Sequence, residues 1–330
     1  MNIKPIKIGD REIGSDCPPF IIAEIGINHN GSLNQAKEMV DAAVRAGADA
    51  VKFQTRTVDV VYSLAELAKP RPVPRGILEA AVKRGVLSTS AVRRLQGSDF
   101  ENSTNGDLKY ALEFTDSELA EIHRHCNERG IMWFTSCWDT EALQRIEKMF
   151  DLPCHKVASA CNEDDKLLRQ LRRAGKPVIL STGMTDLNGV SQAVEILGKK
   201  GLVILHCTSV YPKGTEAGEE ILRLINLRGM DTLRQKFGVP VGFSSHDSGI
   251  MPSYAAIARG ACVVEKHFTL ERGMWGSDQG SSIEPQDLAN LCRMARELNL
   301  ALGDGQIQIY PDEVAVAEKL RRVRRKNKAG

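Results

Sequence analysis

Eight short apolar runs, each followed by a segment with helical spacing of its apolar residues, alternate along this chain of 330 residues. The runs are rich in Val, Ile and Phe, and their near-continuous apolar character is typical of parallel strands that are covered on both faces. They are Phe20–Gly26, Ala50–Thr55, Ile131–Cys137, Cys154–Ser159, Pro177–Gly183, Leu202–Ser209, Val241–His246 and Cys262–Leu270. Eight such units predict an α/β fold of the (β/α)8, or TIM-barrel, class.

The chain is longer than a bare barrel of roughly 250 residues, and three segments account for the excess. Residues 1–18 predict a hairpin that turns at Gly9–Asp10 and closes the amino-terminal end of the barrel. Residues 56–114 form an insert after the second barrel strand, either a lid or a decoration. Residues 303–330 predict a helical tail, about Glu313–Arg325, with a basic end. We expect a single barrel domain over residues 1–330.

Composition excludes several classes of function. The 44 Lys and Arg residues nearly balance the 42 Asp and Glu residues, which gives no reason to propose nucleic acid as a partner. No apolar run approaches the length of a membrane span, and the amino terminus lacks the apolar core of a signal peptide. The eight cysteines include no C-x-x-C pair and several lie in predicted strands, which favours buried thiols and a cytoplasmic location.

Polar side chains are concentrated where the predicted strands end. In a TIM barrel the reactive groups lie at the carboxyl ends of the strands. Those ends carry Glu24, Lys52, Gln54, Lys156, Ser181, Ser209, Tyr211, Ser244, His246, Glu265 and His267. This set predicts an enzyme that binds an anion and uses a metal ion.

Two histidines are the candidate metal ligands. Side chains alternate along a strand, so Ser244 and His246 share one face and Glu265 and His267 share another, while Lys266 points towards the helices. If these faces point inwards, the two imidazoles converge at the barrel mouth, a donor set that suits Mn2+. The alternative is that each histidine is a hydrogen-bonded structural residue.

The lysines predict a site for an anionic substrate. Lys52 and Lys156, with the hydroxyls of Ser159, Ser181 and Ser244, could bind a phosphorylated carboxylate. The segment 181–183 could add backbone N–H groups at a strand–helix junction. The alternative is that each lysine forms an internal ion pair with Glu24 or Glu265.

Several motifs in register resemble those of sialic acid synthases, the phosphoenolpyruvate-condensing enzymes of nonulosonate biosynthesis. They are AEIGINHNGS at 23–32, VKFQT at 51–55, LSTGM at 180–184, HCTSVYP at 206–212, SHD at 245–247 and EKHFTLER at 265–272, followed by Asp278. The match runs in order from about Pro19 to Leu302 and therefore covers the whole barrel.

The resemblance implies a metal-dependent condensation of phosphoenolpyruvate with an aldose or amino sugar, which gives a 3-deoxy-2-keto sugar acid and phosphate. It implies Mn2+, with Mg2+ or Co2+ as alternatives, and a homodimer. The implied metal ligands are His246 and His267, and the implied proton-handling carboxyls are Glu24 and Glu265. The implied substrate groups are Lys52, Lys156, Gln54, Ser136, Ser159, Ser181, Ser209 and Ser244 around phosphoenolpyruvate, with Tyr211 and Asp278 facing the acceptor sugar.

Three features depart from the family pattern. Cys161 replaces an acidic residue just after the K-x-x-S of the fourth barrel strand, and Ser245 replaces the acid of the usual S-D-H. The third departure concerns the end of the barrel. Sialic acid synthases normally continue into a small antifreeze-like domain that covers a partner's active site, and this domain would begin near Gly330, where the sequence stops. We therefore expect the insert 56–114 to cover the site, where Lys69, Arg71 and Arg75 could reach an anionic acceptor.

Two other functions are compatible with the residues. A desolvated Lys156 would permit a Schiff-base aldolase that acts on a keto acid. The departures would also permit a barrel that binds sugar acids without catalysis. A metal hydrolase is disfavoured, because the first barrel strand offers only His29 and no H-x-H pair.

Overall fold

A closed barrel of eight parallel strands forms the centre of the molecule, a computed structural model that describes residues 3–210 and 219–323. The strands are β1 (Ile6–Ile8), β2 (Arg11–Ile13), β3 (Phe20–Gly26), β4 (Ala50–Thr55), β5 (Met132–Cys137), β6 (His155–Val157), β7 (Val178–Ser181), β8 (Leu202–Thr208), β9 (Val241–Ser245) and β10 (Val263–His267). The barrel runs from β3 to β10 in sequence order and closes by pairing β10 with β3. This confirms the predicted (β/α)8 class.

Helices follow the barrel strands and cover them. They are α1 (Leu33–Ala46), α2 (Val58–Val61), α3 (Leu64–Leu67), α4 (Arg75–Arg84), α5 (Thr89–Gly97), α6 (Asn105–Leu112), α7 (Asp116–Arg129), α8 (Thr140–Met149), α9 (Asp165–Ala174), α10 (Leu187–Leu197), α11 (Glu219–Ile225), α12 (Gly229–Phe237), α13 (Met251–Ala258), α14 (Pro285–Leu302) and α15 (Pro311–Leu320). In the part of the chain that the structure describes, none of them has the length and apolar character that crossing a bilayer requires.

Six of the eight barrel strands are shorter than the apolar runs that predict them, as β6 and β10 illustrate. β6 pairs with β5 only through Lys156 and Ser136, and the chain then turns into a short 3-10 helix, Ser159–Cys161. β10 ends at His267, beyond which Phe268 makes a single bridge to Ile283. The apolar run continues past the end of the strand in both places, into a half-buried turn after β6 and a buried one after β10, so hydrophobicity alone overestimates the strand.

The predicted hairpin is present at the amino-terminal end of the barrel. β1 and β2 pair antiparallel, and Ile8 and Ile13 are fully buried. Gly9, at the turn, has a φ of 54°, and a Cβ there would lie 2.8 Å from the sulfur of Met132, the first residue of β5. Arg11 forms an ion pair with Asp49, just before β4. The hairpin therefore covers the end of the barrel opposite the strand carboxyl termini.

The insert 56–114 is helical and has a hydrophobic cluster of its own, which includes Leu78, Leu95 and Leu108. It comprises the helices α2 to α6. Arg84 joins the insert to α7 by an ion pair with Glu118. It also donates hydrogen bonds to the backbone carbonyls of Ala111 and Glu113 at the end of the insert.

The cations that the sequence assigns to an acceptor mostly have partners within the insert. Lys69 pairs with Glu66, and Arg75 pairs with Glu79 and Asp99. Arg71 instead donates a hydrogen bond to the side chain of Asn105. The pairs of Lys69 and Arg75 are exposed, so the expectation that these cations reach an anionic acceptor stays a prediction.

The predicted tail helix forms as α15, which begins and ends earlier than the pattern indicates. It spans Pro311–Leu320, its side chains are mostly exposed, and the basic residues 324–330 lie outside the described residues.

Candidate active site

The strand carboxyl ends surround a cavity of about 80 Å3 that is open to solvent. Its lining contains most of the residues that the sequence predicts for the site. These are Glu24, Lys52, Gln54, Lys156, Ser159, Ser181, Ser209, Ser244, His246, Glu265 and His267. Seven barrel strands or the turns directly after them therefore deliver one predicted group or more to a single cavity.

The two lysines form buried ion pairs with Glu24 and Glu265, which is the second of the two interpretations that the sequence allows. The Nζ atom of Lys52 lies 2.5 Å from Glu24 and donates to the Ser136 hydroxyl at 2.9 Å. The Nζ atom of Lys156 lies 3.6 Å from a carboxylate oxygen of Glu265, and burial lowers the pKa of Lys156. Internal pairing does not satisfy every group, because one carboxylate oxygen of Glu265 is buried without a hydrogen-bond partner.

The two carboxyls have different electrostatic environments. Burial raises the pKa of Glu24 to about 7, because the attraction of Lys52 only partly offsets the loss of hydration. Burial would also raise the pKa of Glu265, but Lys156 and Lys52 together bring it below its ordinary value. The cavity thus holds two cations with one carboxylate that is ionised and a second carboxyl that keeps a proton up to about neutral pH. This excess of positive charge favours an anionic ligand.

Serine hydroxyls converge beside Lys156, because a glycine allows their close approach. Lys156 donates to Ser181 Oγ at 2.7 Å. A Cβ at Gly183 would lie 2.1 Å from Ser209 Oγ and 2.7 Å from Ser159 Oγ, so no larger residue fits there without displacing them.

The backbone of segment 181–183 does not provide the predicted N–H groups. The Thr182 amide donates to the Leu205 carbonyl at 3.1 Å, and the Gly183 amide donates to Ser159 Oγ at 3.1 Å. Helix α10 begins only at Leu187, and the Asp186 side chain already caps its first amides. Hydroxyls and lysines therefore provide the donors here, and the expectation of free amides at Thr182 and Gly183 is wrong.

His246 and His267 come together as predicted. Their ring centroids are 5.3 Å apart, and the Nδ1 atom of His246 lies 3.3 Å from the Thr208 carbonyl oxygen. Burial lowers the pKa of His267, which favours its neutral form, and its Nδ1 atom is buried without a hydrogen-bond partner.

The donor set fits a divalent cation that takes part of its shell from outside the protein. The two imidazoles would provide two nitrogen ligands, and Glu265, which has an unpartnered oxygen, lines the same cavity. Within residues 3–210 and 219–323, no three His, Cys, Asp or Glu side chains are grouped closely enough to hold a metal by themselves. The remaining ligands would be water or substrate oxygens.

Two of the predicted site residues that the structure describes, Ser136 and Asp278, do not line the cavity. Ser136 is fully buried behind Lys52, to which it is hydrogen bonded. Asp278 lies at the start of a 3-10 helix after β10, close enough that its charge raises the pKa of His267 against the effect of burial. Tyr211 lies outside the described residues.

Sequence reasoning missed five residues that line the cavity: Trp138, Ala158, Ala160, Met184 and Cys207. Cys207 lies two residues before Ser209 and therefore on the same face of β8, a signal that alternation provides. Met184 has a φ of 61° and is 67% exposed, which is unusual for a large apolar residue at the edge of a cavity. Trp138 directly follows β5, and only the tertiary structure reveals its position.

Cys161 lies outside the cavity lining, next to its rim. Its thiol is buried, it contacts the backbone oxygen of Trp138 at 3.8 Å, and burial raises its pKa to about 12. The thiolate form is therefore disfavoured at neutral pH.

A parallel eight-stranded barrel with lysines, carboxyls, hydroxyls and paired imidazoles at its strand ends defines a TIM-barrel enzyme that acts on an anionic substrate. Comparisons with known proteins give the family. The model of the NeuB family matches residues 82–307.

Curated relatives and solved structures agree with that match. Human N-acetylneuraminate-9-phosphate synthase is 32% identical over 94% of this chain and 78% of its own length. N,N'-diacetyllegionaminic acid synthase of Campylobacter jejuni is 33% identical over 87% of this chain and 78% of its own. The crystal structure of the N-acetylneuraminic acid synthetase of Leptospira borgpetersenii, in complex with citrate, has a TM-score of 0.75 at 29% identity and covers 97% of this chain and 98% of that one. The chain belongs to the NeuB family of sugar-acid synthases.

Proposed function

We propose that this chain condenses phosphoenolpyruvate with the aldehyde of an aldose or amino sugar and releases phosphate, giving a 3-deoxy-2-keto sugar acid. The observation that carries the proposal is the pair of buried lysines, Lys52 and Lys156, in a cavity lined by serine hydroxyls. A substrate that has both a carboxylate and a phosphate needs separate cations with hydroxyl donors nearby. The relatives' names denote acids of acetylated amino sugars, which favours an N-acylated amino sugar as the acceptor.

The chain's own residues bind and orient phosphoenolpyruvate. Lys52 and Lys156 offset its negative charge, and Ser159, Ser181 and Ser209 donate hydrogen bonds beside Lys156. Ser244, on the same cavity wall as His246, adds a further hydroxyl. A bound anion disfavours a second negative charge nearby, so binding of phosphoenolpyruvate would further favour the protonated form of Glu24.

The reaction forms a bond between C3 of phosphoenolpyruvate and the aldehyde carbon. Water then adds at C2, the bond between C2 and the phosphate oxygen breaks, and inorganic phosphate leaves. One proton of this water balances the proton that the new hydroxyl gains, and the other leaves with the phosphate as the C2 carbonyl forms. Glu24 and Glu265 are the carboxyls available for these transfers, and the raised pKa of Glu24 suits it to donate a proton.

We propose that His246 and His267 hold a divalent ion, Mn2+ in the first place, with Mg2+ or Co2+ as alternatives. When bound, such an ion polarises the aldehyde oxygen as a Lewis acid. Asp278, and Tyr211 outside the described residues, are proposed to face the acceptor.

We further propose a cytoplasmic homodimer. All eight cysteines are free thiols and seven of them are buried, which is typical of proteins from a reducing compartment. The dimer rests on the family resemblance, and light scattering of the purified chain tests it.

Phosphate release tests the main proposal. The protein is incubated with phosphoenolpyruvate, Mn2+ and a panel of aldoses and N-acylated hexosamines, each free and 6-phosphorylated. We expect phosphate release with at least one acceptor, a 3-deoxy-2-keto acid in the NMR spectrum, and loss of both in Lys52→Met. Binding of phosphoenolpyruvate without turnover on any acceptor would instead favour the non-catalytic barrel.

One observation favours a second candidate, the Schiff-base aldolase. Burial lowers the pKa of Lys156, which makes its amine more available as a nucleophile. Borohydride treatment in the presence of a keto acid would add mass to the peptide that contains Lys156 if this chemistry occurs. We expect no such adduct, because Nζ already donates to Ser181 and to the Val157 carbonyl.

A further inference from the structure

Lys266 lies between Glu265 and His267 on β10 but faces away from the cavity. Its two neighbours line the cavity, and Lys266 does not. The alternation of side chains along the strand sends its ammonium group to the helix side, as the sequence predicts. There the side chain is fully buried, with 0% exposure.

The ammonium group contacts both neighbours of His246. Its Nζ atom lies 3.2 Å from the Oδ1 atom of Asp247, whose side chain is 1% exposed. It also donates to Ser245 Oγ at 3.2 Å and to the backbone oxygen of Asp247. Ser245 is the register partner of Lys266 in the sheet. One buried cation therefore fixes the residues immediately before and after a candidate metal ligand.

His246 lies where the sheet no longer fixes the backbone. β9 ends at Ser245, so His246 is the first residue beyond the ladder of strand hydrogen bonds. Asp247 also accepts a hydrogen bond from the Gly249 amide at 3.1 Å, which shapes the turn that leads to α13. The Lys266–Asp247 pair thus joins the end of β10 to this turn and limits how far the imidazole can move.

The pair is costly, which argues for a purpose other than stability. Burial of an ammonium ion costs several kcal/mol before its partner compensates, and burial lowers the pKa of Lys266 although Asp247 opposes the effect. Apolar residues of similar volume would often be at least as stable at such a position. A directional ion pair instead holds one arrangement of the backbone.

The contacts of Lys266 also explain how a serine can occupy position 245, where the family pattern has an acid. Residues 245 and 247 both lie within reach of Lys266, so a carboxylate at either position could compensate its charge. Here the carboxylate is at Asp247, and the Ser245 hydroxyl occupies the other contact. Asp247 therefore compensates the charge of Lys266 although position 245 carries no acid.

We propose that the Lys266–Asp247 pair is a positioning device that fixes the imidazole of His246 opposite that of His267. Lys266 and Asp247 act through His246 and do not touch the substrate. The inference rests on the proposed metal role of the two histidines.

Mn2+ affinity, measured by the loss of the free-ion EPR signal, tests the device without relying on turnover. The double variant Lys266→Met/Asp247→Leu removes both charges and leaves no unpaired ion. We expect it to fold and to bind Mn2+ at least 10-fold more weakly, the range seen when partners of metal ligands are removed. Its affinity for phosphoenolpyruvate without metal should change less than twofold.

Two further variants control the measurement. Ser245→Asp/Asp247→Ser moves the carboxylate to the other contact and should bind Mn2+ within threefold of the wild type. Arg84→Met breaks the partly buried pair with Glu118 in a different part of the molecule. It should lower the melting temperature without changing the Mn2+ affinity.

The outcomes separate this inference from the metal assignment. If His246→Ala loses Mn2+ and the charge-free double variant keeps wild-type affinity, the positioning role is wrong and the metal site stands. If His246→Ala binds Mn2+ as the wild type does, both are wrong. If the double variant does not fold, Ser245→Asp/Asp247→Ser decides. A 10-fold loss of Mn2+ affinity in this variant, with the fold intact, would contradict the proposal that a carboxylate at position 245 can replace the one at position 247.

Discussion

The Nζ atom of Lys52 lies 2.5 Å from a carboxylate oxygen of Glu24, and both side chains are at most 3% exposed. Gln54 donates to the other oxygen of Glu24 at 2.9 Å. Burial outweighs the attraction of Lys52 and raises the pKa of Glu24 to about 7. The charge of the site therefore changes within the physiological pH range.

Glu24→Gln should remove this titration. We expect the wild-type pH profile of kcat/KM to have an inflection near pH 7, and the variant to lose both that inflection and about 10²–10⁴ of its turnover, the usual contribution of a general acid or base. An inflection that persists unchanged in the residual activity would assign the titration to another group.

The stability of the fold should follow the same ionisation. The pKa of Glu24 is raised from 4.5 to about 7, so the folded state binds more protons than the unfolded state between these values. The contribution of Glu24 to stability is therefore present below pH 4.5 and is lost as the pH rises through 7. Urea unfolding across this range should show a weaker pH dependence in Glu24→Gln than in the wild type.

Removal of either candidate metal ligand should abolish turnover and leave the fold intact. We expect His246→Ala and His267→Ala to be inactive with wild-type circular dichroism, and chelation to inactivate the wild type reversibly, because each imidazole is a proposed ligand of the metal ion. His125→Gln is the matched control, since His125 pairs with Asp41 outside the site. Full activity of the wild type in excess chelator would contradict the metal role.

Cys161→Ser should keep most of the rate with the preferred acceptor, within about threefold. Burial raises the pKa of the thiol to about 12, and the proposed reaction needs no covalent intermediate. Steady-state kinetics on the wild type and variant check this. A collapse of kcat with normal binding of phosphoenolpyruvate would show that the thiol takes part in turnover.

Shortening the insert 56–114 tests whether it is an active-site lid or a surface decoration. Replacement of residues 70–101 by a Gly/Ser linker should preserve barrel folding and Mn2+ binding but reduce condensation at least 10-fold, because a covered site excludes competing water. No insert side chain that the structure describes lines the cavity, so a covering role requires the insert to move. Wild-type kinetics of the shortened protein would identify the insert as a decoration.

The barrel was predictable because each strand is a short apolar run that local sequence reveals. Helix α1 begins after Ser32, a residue type that favours N-caps, and its side chain accepts a hydrogen bond from the Gln35 amide. The ends of β6 and β10 were not predictable in the same way. Apolar residues there pack in turns, and only pairing with a neighbouring strand decides where a strand ends.

The lysines and histidines of the site were predictable from the alternation of side chains along strands. Their hydrogen-bond partners were not. The Gly183 amide is taken by Ser159, and the Thr182 amide by Leu205, each more than twenty residues distant. The same reason explains why the internal partners of Lys69 and Arg75 were missed, and why Trp138 enters the cavity without a sequence signal.

The hairpin that covers the amino-terminal end of the barrel also has a kinetic consequence. With Ile8 and Ile13 buried at that end, the cavity is a well with its mouth at the strand carboxyl ends. Lys52 lies two residues below Gln54 along β4, so a ligand held by Lys52 sits beneath one that occupies the rim. If phosphoenolpyruvate binds at Lys52 as proposed, it must enter before an acceptor that occupies the rim, so we expect initial-rate kinetics of an ordered sequential mechanism.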